Sequence, residues 1–146
     1  MSNANFKTDF AKLLAKAGKD AQTVVRLAAL ELQTMMIESS PVDTGRFKGN
    51  WQAGLGSINT TTGSSEDKTP LGQSDESNVD RSRKFLLNYK IGQTIFLSNS
   101  MPYASVLEYG RANGKPGSIQ APGGMVRLAV QNYSQAVAKA VSELKT

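Results

Sequence analysis

Few side chains in this sequence can do chemistry, and their positions restrict what that chemistry is. The 146 residues include no cysteine and no histidine. Disulfides, zinc sites built on Cys or His, and Ser-His or Cys-His nucleophile pairs are therefore excluded. Carboxylates remain. Glu66, Asp67, Asp75, Glu76 and Asp80 crowd one polar stretch, but they lack the alternating Asp order and the closing Glu of a calcium loop. They read as a solvated loop. Glu108 stands between Leu107 and Tyr109, a setting in which an unpaired charge is costly. A general base there would need a partner acid or a metal, and none is near in sequence. A salt bridge or hydrogen bonds to loop amides is the expected role, with Arg111 and Arg46 as partners. The run GRANGKPG, Gly110 to Gly117, has glycines and a lysine without the order of a phosphate-binding loop. Its glycines are expected to permit positive backbone angles in an exposed loop. No catalytic residue, metal or cofactor is expected.

The most punctuated stretch is SPVDTGRFKGNW, ending at Trp51, the single tryptophan. Pro41 disfavours helical angles at Ser40 and should end a preceding helix. Asp43 and Thr44 can satisfy the freed backbone groups in a turn that Gly45 completes. Trp51 is expected to anchor the next strand in the core, with Arg46 and Lys48 exposed toward a partner.

The elements around these residues follow from periodicity. From Asn5 to about Glu38, Phe6, Phe10, Leu13, Leu14, Ala17, Ala21, Val24, Ala28, Leu32 and Met35 recur at helical spacing. Val25, Leu27, Ala29, Leu30, Met36 and Ile37 add apolar positions on other faces, leaving Gln22, Thr23, Arg26 and Gln33 as a narrow polar remainder. Such a helix is buried on more than one side. A neighbouring subunit is the expected cover, and the alternative is the chain's own sheet on one side and its C-terminal helix on the other.

Trp51, Ala53 and Leu55 alternate with polar residues as a short strand, and residues 57–80 form a long acidic loop, expected to be mobile. Arg81 to Lys90 predicts a short helix, and Thr94 to Ser98 a strand. A further short helix is expected, capped by Asn99 or Ser100, with Pro102 in its first turn and Gly110 as its stop. Arg111 to Gly124 is a second loop. A long amphipathic helix closes the chain, with Val126, Ala129, Val130, Tyr133, Ala136, Val137, Ala140, Val141 and Leu144 as its stripe. The whole predicts one α+β domain over residues 1–146: a long N-terminal helix, a small antiparallel sheet with a short helix, a long C-terminal helix and extended loops.

The net charge is +5, and a positive surface attracts nucleic acid. The cations are scattered, however, with no Arg-rich helix and no basic residues interleaved with aromatics. No apolar run is long enough to cross a bilayer, and MSNANFKTDF lacks the apolar core of a signal peptide. The expected compartment is the cytosol, without membrane contact.

Three segments together, SPVDTGRFKGNW, TIFLSNSMPYASVLEYGRAN and QAPGGMVRLAV, resemble the minor tail or tail-component proteins of tailed bacteriophages, the neck and tail-completion proteins of long-tailed phages. Asp43, Thr44, Gly45, Asn50 and Trp51 match the first motif. Asn99, Pro102, Tyr103, Ala104, Glu108 and Gly110 match the second, and Ala121, Pro122, Gly124 and Met125 the third. The resemblance implies a virion structural protein of the neck or tail, assembled in the host cytoplasm, with these residues, Arg46 and Arg111 serving fold and ring contacts. The implied partners are further copies in a sixfold or twelvefold ring, the head connector or stopper, and the tail terminator or tail tube. Genomic DNA would pass through the channel without sequence-specific binding. A tail terminator and a DNA-binding accessory protein are the alternatives.

Overall fold

A computed structural model of the chain describes residues 21–111 and 113–144. The part of the expected N-terminal helix before Ala21, with Phe6, Phe10, Leu13, Leu14 and Ala17, lies outside the described residues. Helix α1 (Ala21–Glu38) is the centre of the fold, and none of its residues is fully exposed. The reason its apolar residues occupy several faces is that the chain itself covers them. Val24 and Ala28 pack against Tyr133, Val137 and Ala140 near the C-terminus. Ala29 meets Ala53 and Leu86 on another side. Met36 and Ile37 join Phe47, Trp51, Val79, Met101, Met125 and Ala129. This corrects the expectation of a neighbouring subunit as cover.

The narrow polar remainder of α1 is also used internally. Gln22 accepts the Ile91 amide at 2.9 Å, and Gln33 donates to the Ser82 hydroxyl at 3.1 Å. The helix closes where Ser39 and Ser40 turn their hydroxyls back to the carbonyls of Met35 and Met36, at 2.9 and 2.6 Å. Pro41 follows immediately.

Strands β1 (Trp51–Leu55) and β2 (Ile95–Asn99) form a two-stranded antiparallel sheet, in register from Trp51 opposite Asn99 to Leu55 opposite Ile95. Trp51 and Ala53 enter the core with α1, as the alternation predicts. The opposite face is covered by residues 57–59: Asn59 donates to the Ala53 carbonyl, and Ser98 donates to that of Asn59.

Helix α2 (Glu76–Leu86) starts five residues before the Arg81 expected from the apolar pattern. Asp75 supplies the missing signal, its side chain accepting the Ser77 amide at 2.9 Å as an N-cap. Helix α3 (Ala104–Tyr109) ends at Gly110, with φ 89°. Neither Asn99 nor Ser100 caps it. Asn99 instead accepts the Met101 amide at 3.2 Å and donates to the Phe47 carbonyl at 2.7 Å, joining strand end to turn.

The single long C-terminal helix is two helices, α4 (Val126–Gln131) and α5 (Tyr133–Leu144). Between them the Asn132 amide is shared by the carbonyls of Leu128 and Ala129, and its side chain also donates to Leu128 at 2.8 Å. An Asn that satisfies its own turn in this way competes with helix continuation. The predicted stripe divides accordingly: Ala129, Tyr133, Val137 and Ala140 are buried, whereas Val126 and Val130 face solvent.

Candidate interaction site

The turn after α1 is built around Gly45. Its φ is +86°, and a Cβ there would stand 2.8 Å from the Asp67 carbonyl oxygen. Only glycine suits both conditions. Its own carbonyl accepts the amides of Gly49 and Asp67, both at 2.9 Å. The expected Thr44 contribution is present, its hydroxyl accepting the Arg46 amide at 3.3 Å, while the Asp43 side chain points to solvent.

This turn fastens the acidic segment. Lys48 is fully buried and donates to the carbonyls of Thr69 and Pro70, at 3.1 and 3.0 Å. It is therefore an internal tie, correcting its expected exposure; Arg46 does face solvent. Burial lowers the Lys48 pKa, and the charges of Asp67 and Glu38 oppose that shift. Asn50 donates to the carbonyls of Arg46 and Ser65 and accepts the Gly63 amide. Asp67 is buried within its loop and accepts from the Thr69 hydroxyl and amide, the Asp75 amide at 3.0 Å and the Asn78 side chain at 3.1 Å. Burial alone would raise its pKa, but these donors outweigh it and hold the carboxyl below its ordinary value. Arg81 completes the joint by donating to the carbonyls of Gly49 and Trp51 and to Asn78. The rest of residues 57–75 is largely exposed, so the solvated reading describes most of the segment and fails at Asp67.

Trp51 is 3% exposed, and its indole N–H donates to the Ser40 hydroxyl at 2.8 Å. Its ring meets Phe47 edge-on at 5.7 Å, and Phe47 in turn lies 6.1 Å from Tyr103. The first and second motifs thus share one aromatic row.

Glu108 is 6% exposed. Its Oε1 accepts the amides of Met125 and Val126 at 2.9 and 2.8 Å, and Oε2 accepts the amide and Nε of Arg127 at 3.2 and 3.1 Å. Burial pushes its pKa up, but the three amides and the guanidinium more than cancel this, and the carboxyl stays below its usual range. The bonds to loop amides match the expected kind of role. The cation is Arg127, in place of the expected Arg111 and Arg46. Gly124, φ +80°, sits against the same carboxylate with no room for a Cβ, which explains the glycine before Met125. The second and third motifs meet here.

A third tie joins the second loop to the first motif. Gln120 accepts the Val42 amide at 2.9 Å and donates to the Val42 carbonyl at 3.1 Å, pairing as a strand neighbour would. Between these ties opens a cleft of about 530 Å³ whose walls include Asp43, Thr44, Arg46, Phe47, Tyr103 and Gln120. Pro122 lies apart from it, on a second cleft of about 660 Å³ with Met35, Leu71 and Leu128. Arg111 and Pro102 are exposed, the former in a loop closed by its amide on the Lys115 carbonyl at 2.8 Å. The structural roles of Lys48, Asn78, Arg81, Gln120 and Arg127 were missed by sequence reasoning. Each acts through a partner 19 to 78 residues away on another element or loop, and only the glycines and prolines around them hinted at tight approach.

Among the described residues, no group of three or more Asp or Glu is placed to hold a metal ion, and no helix is long and apolar enough to cross a membrane. The class defined here is an α+β domain whose buried polar side chains fix surface loops. The chain belongs to a bacteriophage family: residues 4–110 match the family model HK97-gp10_like, described as "Bacteriophage HK97-gp10, putative tail-component". It is thus a phage tail component, a structural protein of the virion. The match takes in the first two motifs and ends before the third. No curated protein and no solved structure gives a significant match.

Proposed function

We propose that this chain is a single-domain neck or tail-completion protein, forming a ring that joins the head connector to the tail and leaves a passage for DNA. The observation that carries the reading is the convergence of its first two motifs, with Gln120 of the second loop, on one rigidly tied cleft in a chain of the tail-component family. Glu108, the buried carboxylate of the second motif, has both oxygens occupied by the amides of residues 125–127 and the Arg127 guanidinium, leaving no lone pair poised to take a substrate proton. This supports a role without turnover. Asp43, Thr44, Arg46, Tyr103 and Arg111 are assigned to subunit contacts, and Gly45, Trp51, Asn99, Glu108, Gly110, Gly124 and Met125 to shaping those contacts. Pro102 and Pro122 present exposed surface beside them.

Cryo-electron microscopy of the particle tests this reading. Density for the chain between connector and tail tube is expected, and its presence only at the tail tip would overturn the assignment. Loss of the protein should leave filled heads and separate tails. A DNA-binding accessory role is the second reading, supported by the exposed Arg46, Arg111 and Lys115. It requires affinity for duplex DNA that collapses between low and moderate salt, because phosphate contacts release counterions.

A further inference from the structure

Asn113 and Gly114 form the single Asn-Gly pair of the chain; every other asparagine is followed by a residue with a side chain. The pair is exposed in the loop after α3, and a Cβ added at Gly114, φ +82°, would meet no atom beyond its chain neighbours within 4 Å. A peptide nitrogen with no Cβ beside it is open to the side-chain carbonyl of the residue before it. Here that side chain is folded back over it: Asn113 Oδ1 accepts the Lys115 amide at 3.0 Å, an Asx turn that spans the Gly114 peptide unit. The same bond polarises the side-chain carbonyl. Arg111 and Lys115, both exposed and in none of the ion pairs among the described residues, add positive potential where a negative oxygen would develop.

One bond opposes attack by the Gly114 nitrogen. Its N–H donates to the Arg111 carbonyl at 3.0 Å, in the loop that the Arg111 amide closes on Lys115 at 2.8 Å. In an exposed loop such bonds open without unfolding the domain. The buried asparagines are held more firmly. Asn50 and Asn78 donate their side-chain nitrogens to the carbonyls of Arg46 and Lys48, and Trp51 and Val79 follow them in the chain.

We propose that Asn113 is a site of spontaneous deamidation, which converts the loop to a second, negatively charged form. The Gly114 nitrogen bonds to Cγ of Asn113, the bond from Cγ to Nδ2 breaks, and the Gly114 amide proton leaves with Nδ2 as ammonia. Water then opens the cyclic imide at either carbonyl, giving aspartate or isoaspartate. The product places a carboxylate between Arg111 and Lys115. In the isoaspartate form the main chain also gains a methylene, and the closure of Arg111 on Lys115 is lost. The modification stands without the ring reading; its effect on assembly, through Arg111, rests on it.

The test is mass spectrometry of the full chain, intact and as peptides, after it is held in mildly alkaline buffer. A gain of about one dalton at residue 113 is expected, shared between aspartate and an isoaspartate that a protein-isoaspartate methyltransferase labels. Its rate should lie within about tenfold of that of a synthetic peptide of residues 111–117, the margin set by one exposed hydrogen bond. Asn113→Gln, which would have to close a larger ring, should keep its mass over the same time. A folded chain that stays unmodified while the peptide reacts overturns the proposal, and so does a first change at another asparagine. The deamidated fraction, separated by charge, should associate less than Asn113→Gln protein held for the same time, as read by sedimentation. Equal association would remove Arg111 from the subunit contacts and leave the modification site standing.

Discussion

Oε1 of Glu108 accepts the amide of Met125 at 2.9 Å across 17 residues of sequence. The second and third motifs are thereby one unit, with a carboxylate of α3 serving the first amides of α4. Glu108→Gln keeps the size of the side chain but removes its charge and one acceptor. A loss of about 2 kcal/mol of stability is expected, in line with hydrogen bonds to charged groups, read as a lower midpoint in urea. An unchanged midpoint would show that the knot holds nothing.

The same carboxylate sets a pH dependence. Its folded pKa is depressed, so the unfolded chain takes up the proton first and stability rises with pH. The contribution is complete above the unfolded value, about 4.3, and is lost as pH falls through the lower folded one. Asp67 has the same sign, with its window opening at about 3.9. Glu108→Gln should therefore be less stable at neutral pH and lose less on acidification than the wild type, and Asp67→Asn should behave likewise. Parallel acid-unfolding curves for wild type and both variants would contradict this origin of the acid sensitivity.

Gly45 combines a left-handed backbone with contact against the Asp67 carbonyl. Gly45→Ala should cost at least about 1 kcal/mol from backbone strain, before any steric cost, and Gly45→Val should cost more. Fewer joined particles are expected from the valine variant, together with a lower unfolding temperature. Normal particles from Gly45→Val would refute this account of the turn.

Lys48 separates a structural from a partner-facing role. Its ammonium group is buried on the carbonyls of Thr69 and Pro70, so Lys48→Met removes two charge-assisted bonds, a loss of about 2 kcal/mol or more. Residues 66–75 should then exchange amide hydrogens faster and become open to proteolysis, with the core packing around Met125 unchanged. Arg46→Met, exposed, should leave that protection as it was.

What was legible in the sequence was what depends on local pattern. The spacing of Val24, Ala28 and Met35 marks α1, and TIFLS marks β2 within one residue of Ile95–Asn99. Gly110 stops α3 because a left-handed stop needs no distant partner. What failed depends on residues that meet only after folding. Lys48 looks like a surface cation until the 69–70 carbonyls arrive, and Arg127 reaches Glu108 although Arg111 is nearer in the chain. The cover of α1 was misread because an apolar perimeter does not say whose side chains surround it. Asp75 was within reach: an Asp before Glu-Ser-Asn-Val is a helix start, hidden here by the absence of apolar periodicity in the first turn.

Trp51 gives the turn its own reporter. As the single tryptophan, it should emit as a buried indole and resist quenching by acrylamide in the folded chain. Its N–H donates to Ser40, whose hydroxyl also closes α1 on the Met36 carbonyl. Ser40→Ala therefore strips an acceptor from a buried indole, and the unmet donor should cost about 1 to 3 kcal/mol. Trp51→Phe removes the donor together with part of the packing. If the bond couples helix end to strand start, the double variant should be less destabilised than the sum of the single ones, by about 0.5 kcal/mol or more. Strict additivity in that cycle would mean that Ser40 acts only on its own helix, and that the angle between α1 and β1 is set by Trp51 packing against Met36, Phe47 and Met101 alone.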